Sequence, residues 1–318
     1  MNKISGDDAR KRLLQGEVVA IPTETVYGLA AWIKSHEGLQ KIFSVKERPF
    51  FDPLIVHVAN SETAQTLTPL WTKAHDTLAK KFWPGPLTLI AKKSSEIDPL
   101  ITSGLDSVGL RCPNHPLTLD LLSQIEGGLA APSANKFGKT SPTSAAHVFE
   151  EFGESVPVID GGSCEVGIES TVVGIKEENQ GYLVQIYRPG HITASELSEA
   201  LASGGIKAQV EYAQSPVAPG QLKHHYMPKI PLVIVPENFQ WDDDRKKIEG
   251  ELQQEFSRPI LWEQPSDPNI ASRELYQKMR DFDQQGYDLI LAAKNADSQE
   301  ENWKGIWNRL DKAKTLKL

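Results

Sequence analysis

The chain has 318 residues, of which 39% are hydrophobic and 24% are charged, and its formal net charge is −8 at pH 7. This length is more than one compact core usually holds, so we expect two domains. The negative charge argues against a protein that binds nucleic-acid backbones, because such binding depends on clustered Lys and Arg. No apolar run approaches the roughly 20 residues needed to cross a bilayer.

The amino terminus and the cysteines indicate the compartment. Residues 1–16 are charged and lack the apolar core of a secretory signal. The two cysteines, Cys112 and Cys164, lie far apart and follow neither a CxxC nor a Cys/His metal spacing. We therefore expect reduced thiols and a cytoplasmic location.

Residues 1–205 alternate between strand and helix patterns, which predicts an α/β domain. The predicted strands are 17–21, 54–58, 87–92, 107–111, 129–131, 156–159, 171–175 and 183–187. The predicted helices are 5–14, 39–45, 73–82, 117–125, 145–152 and 194–202.

The periodicity fades after this domain, and residues 215–220, Ser-Pro-Val-Ala-Pro-Gly, resist both helix and strand. We interpret 206–230 as a linker. Residues 231–318 then show strand and helix patterns in alternation, at 232–235 and 243–256, 259–262 and 272–284, and 289–293 and 303–313. This alternation predicts a small α/β domain with a parallel, Rossmann-like sheet.

The segment 22–28, Pro-Thr-Glu-Thr-Val-Tyr-Gly, leaves a predicted strand and turns at a glycine. It places hydroxyl groups and one carboxylate at a strand's carboxyl end, where ligands of open α/β sheets often bind. An ordinary polar loop that ends the strand explains this spacing equally well.

Cationic residues stand at the ends of several predicted elements. Lys46 and Arg48 lie at a predicted helix end, and Arg111 and Arg188 each follow a strand. Arginine suits bidentate recognition of phosphate or carboxylate. Each cation alone is more often a surface charge or a partner of a helix dipole, and His57 alone is more often a satisfied strand residue. Four cations at such positions are harder to explain in this way.

Two further segments carry small polar groups: Pro-Ser-Ala-Asn at 132–135 and Ser-Pro-Thr at 141–143. Such groups can bind phosphate, although turns and helix caps use them as well. Residues 162–167 have the glycine spacing of a phosphate loop, but Ile168 and Glu169 replace its Lys and Ser/Thr. The motifs GxGxxG, HExxH and GxSxG do not occur in the sequence, so a covalent nucleophile and a zinc site lack support.

Taken together and in this order, eight segments resemble the YrdC-like family over about the first 190 residues. They are Pro-Thr-Glu-Thr-Val-Tyr-Gly at 22–28, Lys-Glu-Arg-Pro at 46–49, Pro-Leu-Ile-Val-His at 53–57, Trp-Pro-Gly-Pro-Leu-Thr at 83–88, Val-Gly-Leu-Arg at 108–111, Ala-Pro-Ser-Ala-Asn at 131–135, Ile-Glu-Ser-Thr at 168–171 and Tyr-Arg-Pro-Gly at 187–190. The resemblance implies a twisted mixed sheet with helices.

The remainder resembles the longer, two-domain threonylcarbamoyl-AMP synthases of this family. Residues 218–228 are similar to their linker, and Ile-Trp-Asn-Arg-Leu at 306–310 is similar to their carboxyl-terminal signature. The chain departs from the family at Asp52, where Asn is frequent, and at 223–225, Lys-His-His, where the linker is often more basic.

The resemblance implies a nucleotidyltransferase, an L-threonylcarbamoyladenylate synthase. Such an enzyme joins L-threonine, bicarbonate and ATP into threonylcarbamoyl-AMP and releases pyrophosphate. Its product would pass to the machinery that forms threonylcarbamoyladenosine next to the anticodon of tRNAs reading ANN codons. Mg²⁺ would enter with ATP, the linker would fold over the site as a lid, and neither stable nucleic-acid binding nor membrane association is expected.

The resemblance also implies roles for individual residues. Lys46 and Arg48 are the candidate catalytic residues. The candidate threonine contacts are Thr25, His57, Arg111, Ala131 and Ser170. The candidate ATP contacts are Arg48, Asp52, Ser107, Ser133, Asn135, Ser141, Arg188 and Tyr226. No protein metal site is expected.

The resemblance also leaves two other functions to consider, an RNA-binding module and a carbamoyl-transferring enzyme. YrdC-like domains resemble double-stranded RNA-binding modules, so the cavity could hold RNA phosphates without chemistry, but the acidity of the chain argues against this. A carbamoyl-transferring enzyme of hydrogenase maturation would need zinc-finger and other modules, for which this chain has neither the cysteines nor the length.

Overall fold

The computed structural model describes residues 1–214, 225–294 and 296–318. The chain divides into two compact units: Met1–Phe137 with Ser141–Gln221, and Gly138–Thr140 with Leu222–Leu318. The first unit contains a large twisted mixed sheet and the second contains a small parallel sheet. The predicted fold class is confirmed.

The sheet of the first unit has nine strands among the described residues, in the order β1-β2-β6-β3-β5-β4-β7-β8-β9. The strands are β1 (Val19–Ile21), β2 (Gly28–Trp32), β3 (Ile55–His57), β4 (Leu87–Lys92), β5 (Ser107–Arg111), β6 (Leu129–Ala130), β7 (Thr171–Glu178), β8 (Gly181–Arg188) and β9 (Ala208–Tyr212). The pairs β3/β5, β4/β7 and β8/β9 are parallel, and the remaining neighbours are antiparallel.

The register between β3 and β5 fixes which side chains become neighbours. Ile55 pairs with Gly109, and His57 pairs with Arg111. Because side chains alternate between the faces of a sheet, these residues all point to one face. A histidine and an arginine that lie far apart in sequence are thereby placed side by side.

Eight helices of the first unit lie within the described residues. They are α1 (Gly6–Leu14), α2 (His36–Lys46), α3 (Ser61–Thr66), α4 (Lys73–Phe82), α5 (Pro99–Thr102), α6 (Pro116–Ser123), α7 (Ala145–Phe152) and α8 (Ala194–Ser203). Thr72 and Thr193 begin α4 and α8 with capping boxes, in which the side chain satisfies a backbone N–H of the first turn. Helix α2 ends at Glu47, whose left-handed φ of 54° turns the chain between Lys46 and Arg48.

Among the described residues, three clusters of buried side chains contribute to the core of the first unit. One joins α2 to β2, β3 and β5 through residues such as Phe43, Val56 and Leu110. Another joins α4 and α8 to β4 and β7, and the third joins α1 and α6 to β1 and β6. Each fully buried aliphatic or aromatic side chain contributes about 1.5–3 kcal/mol. The middle strands are therefore anchored to helices on one face, and the opposite face, with Ile55 and Gly109, carries the polar residues.

The sheet of the second unit has the order β11-β12-β10-β13 within the described part of the chain, and its strand pairs are parallel. The elements of this unit are β10 (Leu232–Val235), α9 (Trp241–Leu252), β11 (Pro259–Trp262), α10 (Pro268–Gln284), β12 (Leu289–Ala293), α11 (Lys304–Ala313) and β13 (Leu316–Lys317), with two short 3₁₀ segments, Ala296–Gln299 and Glu301–Trp303. Val233, Leu291, Ile248 and Phe256 lie in its core.

The predicted strand 156–159 is wrong. Val158 forms only isolated bridges, with Lys3 on one side and Ala20 on the other. Pro157 has no N–H to donate, which hinders extension of the ladder through this segment.

The structure also contains elements that the sequence did not predict: β2, α3, α5, β9 and β13. Strand β2 is rich in glycine and alanine, which have low strand propensity. Strand β9 lies within 206–230, the predicted linker, and pairs with β8. Residues 215–224 of that range, including His224, lie outside the described residues. None of the helices in the described ranges combines the length and the apolar character that a bilayer-spanning segment needs.

Candidate active site

A shallow cleft opens on the face of the middle strands that is opposite to α2, α4 and α8. Its floor comes from β3, β4, β5 and β7, and its lining residues are Pro53, Leu54, Ile55, Thr88, Ile90, Leu105, Ser107, Gly109 and Val172. Gly109 adds no side chain to the floor of the cleft. A Cβ at this position would lie 3.2 Å from the Thr88 methyl group. The candidate ATP contact Ser107 is thus part of the cleft, half-buried at the start of β5.

The loop 22–28 is a tight, internally bonded turn. The Thr23 hydroxyl accepts the backbone N–H of Thr25 and of Val26, each at 3.2 Å, and donates to the Val26 carbonyl at 2.6 Å. The hydroxyl groups of Thr23 and Thr25 lie 2.8 Å apart. Thr25, a candidate threonine contact, is completely buried. The turn is therefore a rigid structure and not a solvated loop.

Glu24 and Arg111 form a buried ion pair. Glu24 Oε1 lies 2.8 Å from Arg111 Nη2, and the two side chains are 4% and 5% exposed. The backbone N–H of Asn114 donates to Glu24 Oε2 at 3.0 Å, and Arg111 Nε donates to the Gly85 carbonyl at 3.3 Å. These bonds fix the guanidinium group beside the 22–28 loop.

His57 lies beside Arg111 through the β3/β5 register and is 4% exposed. Burial, with a further contribution from the charge of Arg111, lowers the pKa of His57 to about 3. The imidazole is therefore neutral at physiological pH, and Arg111 supplies the positive charge at this point of the sheet.

Lys46 is buried against the 133–135 loop. Its ammonium donates to the Ser133 carbonyl at 2.5 Å and to the Asn135 carbonyl, and the backbone N–H of Phe137 donates to the Lys46 carbonyl at 2.9 Å. Desolvation, followed by the charge of Arg48, lowers the pKa of Lys46, while Asp52 and Glu151 act in the opposite direction. An anionic ligand would add to the groups that favour the charged form.

Arg48 is tied to its own loop and to the cleft. Arg48 Nη2 lies 2.8 Å from Asp52 Oδ2, and both side chains are 5% exposed. Arg48 Nη2 also donates to the carbonyl of Pro53, which lines the cleft, at 2.9 Å. The candidate ATP contacts Arg48 and Asp52 are therefore partners of one another at the edge of the cleft.

Arg188 and Ser170 meet next to the cleft residue Thr88. Arg188 donates to the carbonyl of Ser170 and to its hydroxyl, each at 3.1 Å. The hydroxyl groups of Ser170 and Thr88 lie 2.8 Å apart. Since Thr88 also lines the cleft, these bonds connect a candidate threonine contact and a candidate ATP contact to the same sheet face.

The remaining candidates, Ala131, Ser141 and Tyr226, lie at three other places. Ala131 follows β6 and donates its backbone N–H to the Ile55 carbonyl at 2.9 Å, and the Ser141 hydroxyl donates to Glu169 Oε1 at 2.6 Å. Tyr226 belongs to the second unit, where it is 1% exposed. Its ring centroid lies 5.8 Å from that of Tyr276.

Three residues of the site were not among the predicted contacts: Glu24, Thr88 and Glu169. Each lies inside a segment that carries the family resemblance, at 22–28, 83–88 and 168–171. The segments could be found in the sequence, but the pairing of Glu24 with Arg111 and of Glu169 with Ser141 depends on contacts made only in the fold.

The site has the chemistry expected for anionic ligands. Lys46, Arg48, Arg111 and Arg188 are 1–7% exposed, and each is held by carbonyl or carboxylate oxygens. Within the described residues, no group of three or more His, Cys, Asp or Glu is arranged to hold a metal ion. Fixed cations and backbone donors can stabilise developing negative charge without reorganising.

The Glu24–Arg111 pair generates a prediction about stability. In Glu24→Gln the side-chain shape remains but the Arg111 charge loses its buried partner, so we expect a loss of about 3–5 kcal/mol in the free energy of unfolding. Urea denaturation measures this. Glu17→Gln is the matched control, because Glu17 pairs with Arg12 at 41% exposure on both sides, and such pairs contribute about 0–1 kcal/mol. Equal losses in the two variants would contradict the assignment.

His57 generates a prediction about pH. The unfolded chain has a histidine pKa of 6.5 and the folded protein has one of about 3, so between these values the unfolded state binds more protons. The contribution of His57 to stability is complete above pH 6.5 and is lost as the pH falls towards 3, by at most about 1.4 kcal/mol per pH unit. His57→Gln should flatten the dependence of unfolding free energy on pH in this window. Parallel curves for the two proteins would refute this expectation.

Comparison with known proteins identifies relatives along the whole chain. The family described as "Telomere recombination", Sua5/YciO/YrdC, matches residues 11–190. The family described as "Threonylcarbamoyl-AMP synthase, C-terminal domain" matches residues 192–315.

Individual relatives agree with these matches. The chain is 36% identical to a threonylcarbamoyl-AMP synthase of Pyrococcus abyssi, covering 96% of this chain and 92% of the relative. It is 35% identical to a threonylcarbamoyl-AMP synthase of Bacillus subtilis, covering 95% and 90%. The crystal structure of P. abyssi Sua5 complexed with L-threonine is similar with a TM-score of 0.81 and 34% identity, covering 98% of this chain and 96% of that one. The chain therefore belongs to the Sua5/YciO/YrdC family, in its two-domain form with the threonylcarbamoyl-AMP synthase C-terminal domain.

Proposed function

We propose that this protein is a threonylcarbamoyl-AMP synthase, a nucleotidyltransferase that converts L-threonine, bicarbonate and ATP into threonylcarbamoyl-AMP and pyrophosphate. The observation that carries the proposal is the set of buried cations of the first unit, in a chain that matches two-domain synthases over nearly its whole length. The product would serve threonylcarbamoyladenosine formation next to the anticodon of tRNAs reading ANN codons.

The chemistry brings several anions together. The amine of threonine attacks the carbon of bicarbonate and yields a carbamate and water. A carbamate oxygen then attacks the α-phosphorus of ATP, a P–O bond forms, and the bond to pyrophosphate breaks. Since nucleophile and electrophile are both negatively charged, catalysis depends on alignment and charge stabilisation and requires no protein nucleophile.

The nucleotide half of the reaction is assigned to the residues around the 133–135 loop and Arg188. Lys46 and Arg48 would stabilise charge on the reacting phosphates, and Asp52, Ser107, Ser133, Asn135, Ser141 and Tyr226 would contribute further contacts to ATP. The bond between Arg48 and the carbonyl of Pro53 supports this assignment, because it holds the guanidinium at the cleft edge before any ligand arrives.

The threonine half is assigned to Thr25, His57, Arg111, Ala131 and Ser170. Arg111 suits the α-carboxylate, because its guanidinium is oriented by Glu24 and by the Gly85 carbonyl. Neutral His57 adds no positive charge to repel the amino group, which must lose a proton before it can attack bicarbonate. The α-carboxylate of threonine would then contact the cation Arg111, and its amino group would contact the neutral base His57.

Mg²⁺ is assigned to the substrate as MgATP. This ion usually retains several waters and binds phosphate oxygens with few protein ligands. Glu24, Asp52 and Glu169 already have partners in an ion pair or hydrogen bond, so the donor set of the described residues suits an ion carried by the phosphates.

The surroundings of the site complete the proposal. Residues 1–205 would form the catalytic domain, to whose sheet β9 adds a strand. The rest of the range 206–230 would be a linker that closes over the site, and 231–318 a small carboxyl-terminal domain. The enzyme would act in the cytoplasm and pass its product to the tRNA threonylcarbamoyl-transfer machinery. The net charge of −8 favours catalysis over an RNA-binding role.

The two halves of the site predict different kinetic defects. Arg111→Ala should raise the KM for threonine more than it weakens ATP binding, and Arg188→Ala should do the reverse. Losing one partner of a desolvated charge contact costs on the order of 2 to 5 kcal/mol. Initial rates with each substrate varied in turn, on variants that circular dichroism shows to be folded, measure both effects. Equal losses for both substrates in both variants would defeat the assignment.

Pyrophosphate release tests the function itself. Purified protein is incubated with ATP, Mg²⁺ and bicarbonate, with and without L-threonine, and the products are identified by mass. We expect pyrophosphate that depends on threonine and a product with the mass of threonylcarbamoyl-adenylate. Folded protein that binds ATP without turnover would reject the synthase function, and a salt-sensitive shift of labelled tRNA would then favour RNA binding.

A further inference from the structure

The second unit includes a short segment from the middle of the chain. Residues Gly138–Thr140, called here the 138–140 loop, group with Leu222–Leu318 and not with the sequence that flanks them. Asn135 precedes this loop by three residues, and Ser141 follows it directly. Both flanking residues are candidate ATP contacts, so the loop is covalently bound to the nucleotide site on each side.

The backbone of the 138–140 loop pairs with the residue that follows Tyr226. The Met227 N–H donates to the Gly138 carbonyl at 2.8 Å, and Lys139 forms a parallel bridge with Met227. The Thr140 hydroxyl donates to the Met227 carbonyl at 3.1 Å. The loop and the carboxyl-terminal end of the predicted linker are therefore held as one strand-like pair.

Helix α10 provides the third partner. Arg280, on the buried side of this helix, is 7% exposed and its Nη2 donates to the Thr140 carbonyl at 2.7 Å. A hydrogen bond from a charged donor is shorter and stronger than a neutral one, and here it is shielded from water. It fixes the last residue of the loop, and the next residue in the chain is Ser141.

The same unit also holds Tyr226. The Arg309 guanidinium lies 5.6 Å from the centre of the Tyr226 ring, and the His225 N–H donates to the Lys312 carbonyl at 3.2 Å. Helix α11 thus binds the linker end, while α10 binds the 138–140 loop. Two helices of the second unit therefore contact both the 138–140 loop and the carboxyl-terminal end of the predicted linker.

We infer that Arg280 is a positioning residue for nucleotide use: through the Thr140 carbonyl it holds the 138–140 loop, and thereby the placement of Asn135 and Ser141. Arg280 acts on ATP through the loop and is not assigned a contact with substrate. The expected change in the KM for ATP rests on the proposed function. The expected change in the Kd for an ATP analogue requires only that the protein binds ATP.

The test compares Arg280→Ala and Arg280→Lys with the intact full-length protein. Dissociation constants for a non-hydrolysable ATP analogue with Mg²⁺ are measured by isothermal titration calorimetry, and KM values for ATP and threonine by pyrophosphate release. In Arg280→Ala we expect the analogue Kd and the KM for ATP to rise roughly tenfold, equivalent to about 1.4 kcal/mol. The KM for threonine should change much less, and Arg280→Lys should recover part of the loss, because Lys keeps a charged donor.

Two further variants separate positioning from loss of structure. Arg273→Ala changes an exposed arginine of the same helix α10 and should leave both ATP constants unchanged. Thr140→Val removes the hydroxyl bond to Met227 while keeping the carbonyl that Arg280 binds, so it should shift the ATP constants in the same direction even if Arg280→Ala does not fold.

The outcomes distinguish this inference from the proposed function. Unchanged analogue binding in folded Arg280→Ala, or equal increases in both KM values, would overturn the positioning role. A higher Kd for the analogue in Arg280→Ala and Thr140→Val would support the positioning role, even if neither the variants nor the wild type released pyrophosphate. Absence of pyrophosphate release from all of these proteins would reject only the synthase function.

Discussion

Placing positive charge inside the first unit constrains most of the structure around the cleft. Lys46, Arg48, Arg111 and Arg188 are between 1% and 7% exposed, and an unpartnered buried ion loses several kcal/mol of hydration free energy. Each must therefore be met by oxygen atoms. The Ser133 and Asn135 carbonyls, Asp52, Glu24 and the Ser170 carbonyl supply them.

This requirement explains why the loops of the site are rigid. Carbonyl groups can meet an ammonium or guanidinium only if the backbone is held in place. The turn at 22–28 is held by the bonds of the Thr23 hydroxyl, and the 133–135 loop is held to that turn by the bond from the Ala134 N–H to the Tyr27 carbonyl. The groups that satisfy the cations also hold them in fixed positions. A ligand then meets charges that need little rearrangement, which is the condition under which electrostatic catalysis is most effective.

Much of the fold could be predicted from the sequence, where local signals were strong. Strands β4 and β5 and helices α4 and α7 begin and end where the patterns predict, because alternation and capping residues mark them. Strand β2 was not predicted, because its alanines have low strand propensity. The strand predicted at 156–159 was reduced to single bridges beside Pro157.

The sequence predicted which segments form the candidate site, but it did not predict which of their side chains pair with one another. The cations and the polar loops were visible in the sequence, yet the partners Glu24, Thr88 and Glu169 were identified only through the fold. The backbone N–H that Glu24 accepts comes from a residue 90 positions away, and the Ser170 hydroxyl meets Thr88 across 82 positions. Such pairings arise from strand register and loop packing, which a single sequence does not encode locally. Whether these residues contact ATP and threonine stays a prediction.

The contacts of the 138–140 loop also depend on the order in which the chain is synthesised. Arg280 follows Thr140 by 140 residues, and at a translation rate of 5–20 residues per second it leaves the ribosome on the order of 10 s later. During that interval the Thr140 carbonyl lacks its donor from α10, although most of the first unit has already been made. A nascent chain that ends before Arg280 lacks the donor that the Thr140 carbonyl accepts in the complete protein. Competence to use nucleotide would then be a property gained late in translation, when the last helices arrive.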